Sequence, residues 1–167
     1  MQFDITLHHL KDDGRIPNSR LPLLLYRRAL TGTPSQVETW LQSNRWGSTW
    51  RNGIFGFHHY HSTAHEVLVV YQGTARVHLG GERGVIETVR EADVMVIPAG
   101  VGHCKVDSSP DFAVVGAYPA GQTWDLCYGK DGERPQADHN IARVRLPEND
   151  PVFGVQGPLL QHWSVAP

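Results

Sequence analysis

Residues 53–73 read GIFGFHHYHSTAHEVLVVYQG, and the interpretation of this stretch decides the fold. Four histidines and a glutamate, His58, His59, His61, His65 and Glu66, lie within nine residues between two apolar runs. Side chains alternate along an extended strand, so His59 and His61 share one face while His58 and Tyr60 take the other. Ser62-Thr63-Ala64 is a short polar break, and Glu66-Val-Leu-Val-Val-Tyr-Gln-Gly73 reads as a second strand that ends at a glycine turn. Pairing of these two strands would return the Glu66 carboxylate to the two imidazoles. Imidazole nitrogen combined with carboxylate oxygen suits a divalent first-row metal, with no thiolate required.

Outward from this stretch, the chain breaks into short strands punctuated by glycine and proline. They are TARVHL (74–79), VIETV (85–89), DVMVI (93–97), HCKV (103–106) and FAVVGAY (112–118). Short strands with turn signals at this frequency predict an antiparallel sandwich or barrel. Upstream, residues 1–10 predict an edge strand stopped at Asp12-Asp13-Gly14, and Pro17 and Pro22 predict an extended arm that wraps the outside or crosses to a second subunit. Thr33-Pro34-Ser35-Gln36 is a capping box with proline at the first helical position. Val37, Trp40 and Leu41 follow at helical spacing, so a short helix is expected over 33–44. Downstream, 129–136 predicts a polar loop, IARVRL (141–146) a last strand, and DPVFGVQGPLLQHW (150–163) an ordered covering arm.

The spacing G-x5-H-x-H-x4-E-x6-G, filled by Gly53, His59, His61, Glu66 and Gly73, resembles the first motif of the cupin superfamily. The second motif is met by Pro98, Gly100 and His103 in ADVMVIPAGVGHCKVD (92–107). Ala92 stands where glycine is usual, and Asp107 where asparagine is usual. Beyond the motifs, the phrases DDGRIPNSRLPLLLYR, WRNGIF, HHYHSTAHEV, PAGVGH, DFAVVGAYPAGQ and LPENDPVFGVQGPL resemble bacterial cupins of the YjlB-like group. The resemblance implies an all-β jelly-roll (double-stranded β-helix) barrel. It would form one domain over 1–167, with 1–52 as arm and helix, 53–118 as barrel core, and 119–167 as C-terminal strand and covering arm. It implies a metal site of His59, His61, Glu66 and His103 holding iron, manganese, nickel or zinc, and a homodimer.

His65 competes with Glu66, because some cupins place three residues rather than four between the second histidine and the acid. The six residues from Glu66 to Gly73 match the family spacing and favour Glu66, which leaves His65 to orient a ligand. His58, Tyr60 and Cys104 are expected on the far face, Lys105 and Asp107 on the His103 face, and Leu68, Val70 and Phe57 as an apolar lining.

Composition bounds the function. The chain has 167 residues, a formal charge of −2, and only two cysteines, Cys104 and Cys127. Nothing in it forms a basic block for nucleic acid, a membrane span or a disulfide framework. A cytoplasmic protein with a small-molecule ligand or substrate is expected. The first function class is a metal-dependent oxygenase, isomerase or decarboxylase; the alternative is a non-catalytic metal or small-ligand binder.

Overall fold

The computed structural model describes residues 4–164. Among them are nine strands: β1 (Ile5–His8), β2 (Leu23–Tyr26), β3 (Trp46–Asn52), β4 (Glu66–Gln72), β5 (Thr74–Leu79), β6 (Val85–Arg90), β7 (Val94–Ile97), β8 (His103–Ser108) and β9 (Ala113–Pro119). Three helices accompany them: α1 (Pro34–Ser43), α2 (Gln136–Arg143) and α3 (Pro158–His162). The strands form two antiparallel sheets, one of six strands in the order β1-β2-β7-β4-β9-β3 and one of three in the order β6-β5-β8. They make an open jelly roll, mostly β, whose barrel is not closed.

The apolar pattern explains the layering. Leu23, Leu25, Leu68, Val70, Met95, Ile97 and Val114 turn one face of the large sheet onto Ala75, Val77, Leu79 and Val89 of the small one. The alternate residues Leu24, Tyr26, Val67, Val69, Val94, Val96, Val115 and Ala117 turn the other way and meet α1 and the C-terminal arm. Strands β2, β4 and β7 are therefore covered on both faces, which is why they read as continuous apolar runs instead of alternating ones.

Helix α1 forms where the capping box lies. The Gln36 amide donates to Thr33 Oγ1 at 3.2 Å and the Thr33 amide to Gln36 Oε1 at 2.9 Å, while Val37 and Leu41 are buried. The edge strand expected over 1–10 is found as β1, although residues 1–3 lie outside the described ones.

Two expectations are corrected. The segment after Pro22 is no mere wrapping arm, because β2 sits inside the large sheet between β1 and β7. Proline precedes that strand, so no ladder amide is lost. Residues 141–146 do not form a strand: α2 runs to Arg143, and 144–149 is irregular. Trp46–Asn52 forms edge strand β3, paired with β9 through Trp50↔Gly116. No described helix is long and apolar enough to cross a membrane.

Candidate metal centre

Residues 53–61 do not pair with β4. His59 instead forms an isolated bridge with His103, its amide donating to the His103 carbonyl at 3.2 Å and the His103 amide returning the bond at 2.9 Å. Tyr60 bridges Cys127 in the same manner. The local backbone is extended, so the expected alternation holds: His59 and His61 are together, and Tyr60 faces away into a cluster with Ile16, Cys127 and Ala137. Glu66 arrives from β4, which pairs with β7 at Glu66↔Ile97.

His59, His61 and His103 each bring a ring nitrogen to within 4.8 Å of the others, and all three are buried. The Glu66 carboxylate adjoins the cluster, its Oε2 lying 3.2 Å from His61 Nε2 and its Oε1 3.2 Å from His103 Nε2. The other nitrogen of each ring is engaged by the backbone. His59 Nδ1 meets the Phe57 carbonyl at 3.0 Å, His103 Nδ1 the Val101 carbonyl at 3.1 Å, and His61 Nδ1 the Asp125 carbonyl. A carbonyl only accepts, so each Nδ1 carries the proton and each Nε2 presents a lone pair. Three lone pairs and a carboxylate thus converge with no donor between them, and His103 Nε2 is buried without a hydrogen-bond partner. Such an arrangement is unfavourable unless a cation, a proton or a metal ion, lies between the groups. The donor set fits a divalent metal.

The titration behaviour agrees with this arrangement. Burial, helped by neighbouring His103, pushes His59 down to about 3. Burial also pulls on His61, but the facing Glu66 carboxylate outweighs it and raises the ring's pKa. Glu66, whose burial alone would raise it, is instead held well below the usual carboxylate range by His61 and His103.

Above the cluster is a cavity of about 440 Å³, walled by Trp50, Tyr118, Trp124, Phe55, Leu68 and Leu126, with Lys105 also lining it. Trp50 Nε1 donates to Tyr118 Oη at 2.9 Å. Trp50 lies so close to Gly116 that a Cβ there would meet its ring at 2.2 Å, which fixes glycine opposite it on β9. Burial and the nearby Glu66 raise the Tyr118 phenol far above its ordinary value, so it stays protonated.

The sequence-predicted residues sort clearly. His59, His61 and His103 come together with Glu66 beside them, and Leu68 and Lys105 line the cavity. Val70 is in the core and Phe57 stacks on Phe55 outside the cavity walls, while Asp107 is exposed and paired with Arg76. His65 is set apart from the cluster: its Nδ1 accepts from the Ala99 amide at 2.9 Å, and its ring packs on Trp163. His58 packs on His78 and nears Cys104, on the far face as expected. Sequence reasoning missed the segment 124–127. The Asp125 carboxylate accepts from the Ser62 amide at 2.6 Å, from the Ser62 hydroxyl and from the Thr63 amide at 3.3 Å, and its own carbonyl holds His61. An isolated acid between Trp124 and Leu126 was the one available signal.

An open antiparallel jelly roll with histidines converging from two strand-turn segments defines a class, and a family model described as Cupin matches residues 46–121. The chain belongs to the cupin family. It is 43% identical over 166 residues, 98% of this chain and 99% of the relative, to the protein of Bacillus subtilis (strain 168) described as "Uncharacterized protein YjlB". Among solved structures it resembles procruciferin, an 11S globulin from Brassica napus, at 17% identity and a TM-score of 0.38, covering 64% of this chain. The chain spans only 22% of that protein's length. It also resembles the epimerase RmlC from Legionella pneumophila Philadelphia 1 at 13% identity and a TM-score of 0.36, covering 70% of this chain and 72% of that one.

Proposed function

We propose that this chain is a metal-dependent cupin enzyme acting on a small organic molecule, with His59, His61, Glu66 and His103 holding a divalent ion. The observation that carries the reading is the convergence of three Nε2 lone pairs, each fixed by a backbone carbonyl on Nδ1, around the Glu66 carboxylate. A bound divalent ion supplies Lewis acidity toward a carbonyl or carboxylate oxygen, or dioxygen chemistry if it is iron.

The chain's own residues do the rest. The backbone carbonyls hold the three rings in orientation through Nδ1, and Glu66 stays ionised as a ligand, which keeps it from acting freely as a base. Leu68 and Leu126 add apolar wall beside the ligand face, which lowers the local polarity and strengthens its electrostatics. The Tyr118 phenol remains a donor. A cavity that reaches solvent and carries polar groups beyond the four ligands supports turnover over a sealed polar core. Oxygenase, isomerase and decarboxylase chemistry all fit this description. A homodimer in the cytoplasm belongs to the same reading; a monomer's mass in light scattering removes the dimer.

Elemental analysis of tag-free protein purified without chelators tests the metal site, beside His61→Ala and His103→Ala. Near one metal per chain is expected in the native protein, with both variants losing most of it. Metal contents that do not differ sink the assignment. If the native protein takes up none even after reloading, the site is a polar core and the non-catalytic reading replaces this one.

A further inference from the structure

The cavity above the histidines is unevenly charged. Lys105 follows His103 by two residues on β8, so strand alternation sends its side chain to the same face, and it lines the cavity. The other basic residue in the wall, Arg51, is occupied: its Nε donates to Glu38 Oε1 at 3.0 Å, and a second guanidinium nitrogen bonds the same oxygen. The next acid along β8, Asp107, is occupied by Arg76. Among the described residues, Lys105 has no carboxylate within ion-pair reach. Among the described residues the one acid lining the cavity is Glu66, and its two oxygens face His61 and His103. A divalent ion at the cluster would outweigh the single Glu66 charge, and Lys105 adds a further positive charge on the same side. A cavity of this kind favours an anion.

The remaining wall is aromatic and open. Trp124 stacks on Tyr118 with ring centroids 6.1 Å apart, and its edge meets His61 at 5.7 Å. Phe55 meets His59 edge-on at 5.2 Å. Yet Trp124 and Phe55 are 47% and 50% exposed. Large aromatic surface beside a charged cavity is the composition of a ligand pocket, with apolar walls for the body and few polar groups for orientation.

We propose that the cavity binds a small organic carboxylic acid as its anion. The carboxylate lies between the histidine cluster and the Lys105 ammonium, and the apolar body lies along Trp124 and Phe55. This rests on the metal-site reading and adds to it the chemical class of the ligand and a specificity-determining residue.

The test is calorimetric titration of zinc-loaded protein with benzoate and with its neutral counterpart benzamide, in the native chain, Lys105→Gln and Lys105→Arg. Lys11→Gln, in a groove lined by other residues, serves as the control for lost charge. Zinc content and melting temperature are measured on every sample. The expected result is that benzoate binds the native protein at least tenfold tighter than benzamide. Lys105→Gln should weaken benzoate at least fivefold, leave benzamide within twofold and keep one zinc per chain. Lys105→Arg should recover most of the benzoate affinity, and Lys11→Gln should change nothing. Zinc at one per chain with no benzoate binding at 10 mM, or with equal benzoate affinity in Lys105→Gln, overturns the ligand class alone. No zinc in the native chain overturns the metal reading and this proposal with it.

Discussion

Asp125 shows how a single side chain sets a ligand it does not touch. Its carboxylate clamps the Ser62 and Thr63 backbone, which holds its carbonyl against His61 Nδ1. Groups that orient a ligand's far nitrogen typically change metal affinity by about 10–100-fold when removed. Asp125→Ala should therefore weaken zinc binding by about tenfold in a competition titration with a chromophoric chelator, and an unchanged affinity would mean that the loop holds its shape without the clamp. His65 carries a different consequence. Burial pushes it down to about 4 and His59 to about 3. A histidine whose folded pKa lies below its unfolded value leaves the unfolded chain binding more protons between the two. Its contribution is full above about 6.5 and is lost as pH falls through that interval. His61, raised by Glu66, works the other way: its contribution is full below about 6.5 and is lost as pH rises through its folded value. Burial depresses His58 as well, so three lowered rings stand against one raised ring, and His65 alone accounts for about 2 kcal/mol between pH 6.5 and 5. Chelator-treated protein should melt at steadily lower temperature from pH 7 to pH 5; a flat or rising profile would contradict the neutral, buried state of these rings.

Among the elements, α1 is the most local in origin. Its capping box was legible from Thr33 to Gln36 because every group that makes it lies within four residues. Thr33→Ala should cost about 1 kcal/mol in urea denaturation, with no change in metal content. A loss near zero would mean that packing of Val37 and Leu41 alone holds the helix start. The 141–146 segment illustrates the opposite case. Arg143 and Arg145 between Ala142, Val144 and Leu146 suggested a strand, but a strand needs a partner edge, and 141–146 joins neither sheet. Helix α2 satisfies its backbone within itself, with Ala137 turned inward. At Ala92 the family's usual glycine is absent, yet the residue keeps the left-handed conformation with φ at 76°. The turn geometry is therefore imposed by its surroundings: the Ala92 carbonyl accepts from Ala29 and Leu30, and its amide donates to Val70.

Across the whole molecule, the C-terminal arm is the third layer over the large sheet, and one buried carboxylate holds it there. Asp150 accepts from Tyr26 Oη at 2.6 Å, and from the amides of Val152, Phe153 and Leu159 at 2.8, 3.0 and 3.1 Å. Asp150→Ala would leave these donors buried without that acceptor, at about 3 kcal/mol or more. Denaturant unfolding should report that loss, and a loss under 1 kcal/mol would show that Leu159 and Trp163 seat the arm by packing alone. The sequence by itself determined the strand succession from β4 to β9, α1 and the shared face of His59 and His61, because period-two alternation, caps and turn signals are local properties of the chain; His103 joined them only through the motif resemblance. Only the tertiary structure decided that β2, β4 and β7 are covered on both faces, that His59 bridges β8 instead of β4, that Asp125 orients His61, and that Lys105 lines the cavity with no carboxylate among the described residues in ion-pair reach. Those facts depend on contacts between segments far apart in the chain, and whether a burial or a charge is compensated is settled only when distant segments meet.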